Sequence, residues 1–143
     1  MHILGIDLAK KTFDVTLLTP AGVRHHHTFP NTPAGFRDLW RWVRAHDARS
    51  VRACMEATNV YWEALAQYLV EQDATVHVVN PPRIKGYAQS QMLRNKTGKQ
   101  DSATIAAFCA AHNLTAWVPP TAAQRKLRAL VRHRDDLIAS RIQ

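Results

Sequence analysis

Several things are scarce in this sequence, and each scarcity excludes a class of protein. Its 143 residues contain no run of about 18 uncharged apolar residues, which rules out an ordinary transmembrane helix. The opening MHILGIDLAKK lacks the charged-then-apolar layout of a secretory signal. Only two cysteines occur, Cys54 and Cys109, too few for a disulfide framework and at no zinc-binding spacing. They read as small core residues. Lys96-Thr97-Gly98-Lys99 is not a phosphate loop, because no Ser or Thr follows Lys99 and Leu93 stands where the upstream glycine belongs. Acids are also few: 11 Asp+Glu stand against 19 Lys+Arg, a formal net charge of +8.

What is present points to one basic, soluble, intracellular domain. A hydrophobic fraction of 46% is enough for a real core, and 143 residues suit a single domain. A surplus of eight positive charges on so small a body favours polyanionic partners, nucleic acid first among them, and no membrane. The expected location is therefore cytoplasmic and nucleoid-associated.

The first third reads as strands. Residues 2–9 are apolar and bounded by Lys10-Lys11. In 13–19, Phe13, Val15 and Leu17 alternate with Asp14, Thr16 and Leu18, and 23–29 follow the Pro20-Ala21-Gly22 turn. Connections this short imply antiparallel neighbours. In an extended run His25, His26 and His27 alternate between faces, so they cannot all face one metal. After Pro30 the period changes: Thr32 caps a helix with Pro33 at its first position, and Phe36, Leu39, Trp40 and Val43 mark its apolar stripe to about Asp47. Residues 50–57 read as a strand, 59–72 as a helix and 75–79 as a fifth strand stopped by Asn80-Pro81-Pro82. Strand–helix–strand units of this length imply parallel pairing. The expectation is an α/β domain with a mixed sheet of about five strands, three antiparallel and two parallel, with helices on its faces.

From residue 83 the strand signal disappears. Residues 83–99 carry Arg83, Lys85, Arg94, Lys96 and Lys99 without one acid, interleaved with Tyr87, Gln89, Gln91 and Asn95. That mixture suits phosphate and sugar contacts, although a charge run is also what a solvated loop looks like. Residues 102–112 are helical with Asp101 as N-cap, and 121–143 form a basic helical pattern with no Gly or Pro stop. Trp40, Trp42, Trp62 and Trp117 read mostly as core, Trp117 alternatively as an exposed contact beside two prolines.

Two acids stand out chemically. Asp7 lies in the most apolar strand, and Glu56 ends the fourth in Ala53-Cys54-Met55-Glu56-Ala57. A carboxylate there is costly unless it is paired, hydrogen-bonded or bound to a metal. Two acids near the ends of neighbouring core strands predict a divalent-metal site, and Mg²⁺ or Mn²⁺ suits such oxygen ligands. Asp101 is explained by its capping role alone, but a cap can face the same end of the fold.

Together these segments resemble one family, the insertion-sequence transposases of the Piv/MooV type, whose N-terminal domain is RuvC-like with a DEDD acidic tetrad. The resemblance rests on Gly5 to Lys10, Met55 to Trp62, Val79 to Pro82, Gln89 to Lys96, Asp101-Ser102-Ala103 and Trp117 to Pro120, in that order. It implies a RuvC/RNase H-like catalytic domain over 1–118 and the start of a coiled-coil-like connecting helix over 119–143. It further implies Asp7, Glu56 and Asp101 as catalytic metal ligands, with Lys10, Arg83, Lys85, Arg94, Lys96 and Lys99 on nucleic acid. Implied partners are DNA, a structured guide RNA and further copies of the chain, as dimer or tetramer. Family members continue into a domain bearing a serine that attacks DNA, so the chain resembles an N-terminal fragment that does not recombine DNA alone. The family's third acid is missing: its pattern Lys-Thr-Asp-x-x-Asp-Ala meets Gly98 here. A degenerate element, a substituting nearby acid, or a site needing three carboxylates would each account for this. The rival readings are a stand-alone metal-dependent nuclease and a nucleic-acid-binding or assembly module.

Overall fold

A computed structural model describes residues 1–58, 60–91, 101–121, 123, 124, 126, 127 and 129–131. Its elements run β1 (His2–Leu8), β2 (Thr12–Leu18), β3 (Arg24–Pro30), α1 (Pro33–Ala45), β4 (Val51–Glu56), α2 (Glu63–Glu71), β5 (Thr75–Val79), α3 (Pro81–Ser90) and α4 (Ser102–Ala111). One five-stranded sheet has the order β3-β2-β1-β4-β5. The two hairpins are antiparallel, and β4 and β5 join β1 in parallel, as expected from the short and long connections.

The alternation within each strand divides the sheet into two faces. Leu4, Ile6, Phe13, Val15, Leu17, Val51, Ala53 and Met55 pack with Phe36, Leu39 and Val43 of α1 and Leu65 and Leu69 of α2. The opposite residues face α3 and α4, where Cys54, Val79, Ile84, Ile105, Phe108 and Cys109 form a second, smaller core. Both cysteines are free and fully buried, as their apolar settings predict.

Local chemistry sets the helix starts. The Thr32 hydroxyl accepts from the Gly35 amide at 3.1 Å and Pro33 occupies the first turn of α1. The Asp101 carboxylate likewise accepts from the Thr104 amide at 2.8 Å. Helix α3 is a departure from the sequence expectation, since Pro81-Pro82 there end a strand. They do end β5, and they also begin a helix: proline is suited to a first turn, whose amides have no intrahelical acceptor. Helix α2 starts at Glu63, later than the periodicity placed it. Trp117 is half-buried, stacked edge-on against Trp62 at 5.7 Å, with its amide donating to the Val76 carbonyl at 2.7 Å. The basic helix expected over 121–143 falls largely outside the described residues.

Helix α4 lies across three strands. Thr16, Gly5 and Cys54 form one row of the sheet by register. The Ser102 hydroxyl bonds Thr16 Oγ1 at 2.7 Å, and Arg52 donates to the Cys109 and His112 carbonyls at 3.2 Å each. Arg52 thereby satisfies carbonyls that the end of the helix leaves without partners. Its Nε also donates to His77 Nε2 at 3.3 Å, while His77 Nδ1 donates to the Thr115 carbonyl at 3.0 Å.

Over Gly5 the helix approaches so closely that a Cβ would collide with the Ser102 carbonyl oxygen and lie 2.5 Å from the Ala106 amide nitrogen. Both obstacles are backbone, so the helix itself would have to move. Gly5→Ala is expected to destabilise the fold by about 1–3 kcal/mol, the range of core overpacking. In thermal melts, Gly86→Ala is the control: α3 leaves open space there, and alanine should stabilise by about 0.5–1 kcal/mol. Equal effects of the two would contradict the close approach at Gly5.

Candidate metal and phosphate site

One pleat beyond the Gly5 row lies a row of acids. The register pairs Asp7 of β1 with Asp14 of β2 directly. Ile6 pairs with Met55, so the next step of the parallel register sets Asp7 beside Glu56. Side chains two positions apart share a face. Asp7 and Glu56 therefore project on the same side as Gly5 and Cys54, toward α3 and α4. Asp7, Asp14 and Glu56 line one open cleft of about 690 Å³, whose walls include Thr12, Thr58, Pro82 and Lys85.

Glu56 is half-buried, and its Oε1 is fully shielded from solvent without a hydrogen-bond partner. Burial holds its carboxyl above the usual carboxylate range, and the neighbouring Asp7 charge pushes the same way. Asp14 is exposed and accepts from the Thr28 hydroxyl at 2.6 Å. Alternation alone marks Asp14 only as the polar half of a strand; the hairpin register, countable from the short β1–β2 turn, is the signal that pairs it with Asp7.

The structure thus brings together Asp7 and Glu56 of the three expected metal ligands. Asp101 caps α4 one residue before Ser102, whose backbone lies over Gly5, but it does not line the cleft. Among the described residues no group of three His, Cys, Asp or Glu side chains is placed to hold a metal ion. Of the expected phosphate contacts, Lys85 lines the cleft and Lys10 is exposed in the β1–β2 turn next to it. Arg83 is exposed, with its guanidinium 5.6 Å from the centre of the Phe108 ring. Arg94, Lys96 and Lys99 lie outside the described residues, as does Gly98. The three histidines alternate as expected: His26 bonds Thr16 Oγ1 at 2.8 Å on the α4 side, whereas His27 stacks on Phe29 at 4.4 Å beside α1. Among the described residues no helix is long and apolar enough to cross a membrane.

Order of strands, crossing helix and acid pair define a RuvC-like α/β domain. The Thermus thermophilus RuvC structure matches with a TM-score of 0.52, covering 78% of this chain and 96% of that one; at 12% identity the likeness is one of fold. The family model of the DEDD transposases of the IS110 type, described as Transposase, matches residues 4–143, and the chain belongs to this family. The pilin gene-inverting proteins of Moraxella lacunata and Moraxella bovis are each 37% identical over 134 residues, 92% of this chain. The chain spans 41% of the length of these relatives.

The raised Glu56 pKa has a definite sign for stability. The folded state holds the Glu56 proton more tightly than the unfolded state, so no penalty exists below the unfolded value and the penalty grows as pH rises through the folded one. Glu56→Gln removes the penalised charge. The residue is only half-buried, so the gain is small: melting temperature should rise by roughly 1–3 °C near about pH 7.5 and by less near about pH 4, in metal-free buffer. A fall near pH 7.5 would show that Glu56 is satisfied as a carboxylate.

Proposed function

We propose that this chain is the nucleic-acid-processing domain of a DNA transposase or recombinase, and that Asp7, Glu56 and Asp101 hold Mg²⁺ or Mn²⁺ beside a DNA phosphate. The observation that carries the reading is the Glu56 carboxylate, with one oxygen shielded and unpartnered, set beside Asp7 at the same end of two parallel strands. Carboxylate oxygens of this kind fit a hard divalent cation, and its charge would offset both the burial penalty and the Asp7–Glu56 repulsion. When bound, the ion supplies orientation of the scissile phosphate and neutralisation of developing charge.

The chain's own residues then divide the work. Asp7 and Glu56 would form the nucleus of the ligand set, and Asp101, which caps α4 outside the cleft, would have to reach it to complete the set. Lys85 and Lys10 neutralise backbone phosphates at the cleft mouth, and Arg83 extends that contact along α3. Arg94, Lys96 and Lys99 are assigned the same role. Phosphate contacts carry little sequence information, so the target is selected elsewhere, with a structured guide RNA and a dimer or tetramer of the chain as the proposed partners. Residues 1–118 are assigned the site and 119–143 the connection to the remainder of a longer protein, which would carry out strand exchange.

A second reading has its own support. Gly98 replaces the third acid, and no three-ligand group is formed among the described residues. Both favour a nucleic-acid-binding or assembly module without metal chemistry.

Calorimetric titration of Mn²⁺ and Mg²⁺ into the 143-residue chain separates the two. The metal reading expects saturable binding that weakens by at least about tenfold in Asp7→Asn and tightens in Gly98→Asp. Indistinguishable weak traces from wild type and Asp7→Asn would leave only the second reading. Under either, affinity for DNA should fall steeply with salt, with a log–log slope of about −3 or steeper if at least three or four phosphates are neutralised.

A further inference from the structure

The opposite face of the sheet carries a second surface that the acid cleft does not use. His25, His27 and Phe29 of the edge strand β3 point toward α1, where they meet Trp42 and His46. The rings form an unbroken series: His25 to His46 at 4.3 Å, His46 to Trp42 at 4.8 Å, Trp42 to His27 at 5.7 Å and His27 to Phe29 at 4.4 Å. His27 is exposed, and it lines with Phe29, Trp42 and Arg41 a shallow groove of about 460 Å³.

Charge accompanies the rings. Arg37, Arg41 and Arg44 are exposed and spaced at i, i+4 and i+7, which places them in one stripe along α1. Arg44 lies 5.4 Å over the Trp40 ring, and Arg41 makes a long, exposed contact to Asp38 at 3.5 Å. That exposed pair contributes little, so Arg41 remains available to another anion. The groove thus offers flat, partly polar rings beside the Arg41 guanidinium, with Asp38 also in its lining and Arg37 and Arg44 outside it, on a chain with a net charge of +8.

We propose that this β3–α1 groove binds an unpaired strand of nucleic acid, with bases stacked on His27 and Trp42 and a phosphate held by Arg41. Rings beside a basic stripe are the chemistry of sequence-tolerant single-strand binding, because every base has a face to stack. A duplex buries those faces and leaves only its phosphates. The contacts fall on bases and phosphates, so ribose and deoxyribose strands bind alike. The groove and the cleft lie on opposite faces of the sheet, so a strand held here leaves the cleft free for a separate segment. The proposal rests on the nucleic-acid reading for its class of ligand, and on the ring series for its place.

The test is fluorescence anisotropy with labelled oligo-dT, oligo-rU and a duplex of the same length, using the full chain. Both single strands are expected to bind with similar affinity. His27→Ala combined with Arg41→Ala should weaken that binding by about tenfold, within the range measured for loss of one stacked base. Both side chains are exposed, and an unchanged thermal melt will confirm that the variant is folded. His27→Phe keeps a ring without the ring nitrogens and should bind as wild type. Loss of single-strand binding in His27→Phe equal to that in His27→Ala would reject stacking, and unaltered binding in the double variant would reject the site. Self-association through the β3 edge that excludes the oligonucleotides would make the groove a protein interface and also overturn the proposal. Mn²⁺ binding, measured in parallel, keeps this outcome separate from that of the cleft: a chain that binds no nucleic acid at all fails the broader reading, whereas one that binds it independently of His27 and Arg41 fails only this one.

Discussion

The close approach of α4 to the sheet over Gly5 is the constraint on which the rest of the site depends. A helix seated backbone-to-backbone on β1 can lie low enough for Ser102 to reach the Thr16 hydroxyl and for Cys109 to pack beside Cys54 in the smaller core. Its end is then within reach of Arg52. This single seating covers the middle row of the sheet and stops one pleat short of Asp14, Asp7 and Glu56. The acids are left in a trough walled by α3, neither sealed in the core nor fully in water. Residue size at position 5 therefore governs the environment of residue 7, two positions along the same strand.

That intermediate burial explains why the acid pair is costly and why the cost is bearable. A fully buried pair of carboxylates could not both remain charged, and fully solvated ones would attract a cation only weakly. Glu56 sits between these limits, half-buried with one shielded oxygen, and its proton affinity rises accordingly. The strands supply rigidity in exchange: both carboxylates spring from paired backbone, so their separation is set by register and not by loop motion. Sites built on such elements hold their geometry more closely than sites on loops.

Much of this was legible because the informative residues obey simple periods. The two hairpins could be read from apolar alternation and the Pro20-Ala21-Gly22 turn, and α1 from Thr32-Pro33 with its stripe of Phe36, Leu39 and Val43. Asp7 and Glu56 stood out because charge interrupts otherwise apolar strands. Helix α3 was illegible for a physical reason. Proline both terminates a strand and starts a helix, and the residues after Pro82 bury only Ile84 and Ala88, too sparse a stripe to mark a period. Asp14 was hidden differently, since an exposed acid in an alternating strand is unremarkable until register sets it opposite another acid. The row of rings from His25 to Phe29 shows the same limit: His46 and Trp42 join it only through the packing of α1 on β3.

The distribution of charge ties the two faces together. A net charge of +8 draws phosphates to the molecule from a distance, but the three acids lining the cleft repel them at contact. A nucleic acid reaching that cleft meets attraction at its mouth, from Lys85 and Lys10, and repulsion at its floor. A cation on the floor would reverse the sign, so on the proposed reading occupation of the cleft by metal and by phosphate would be mutually favourable. On the β3–α1 face the acid of the groove, Asp38, is paired with Arg41. Nucleic acid bound there as proposed would need no cation and so would be held whether or not the cleft is loaded. On the proposed readings, the fold would separate retention of a strand from admission of a phosphate to the acids, with the first at the sheet edge and the second at the ends of its central strands.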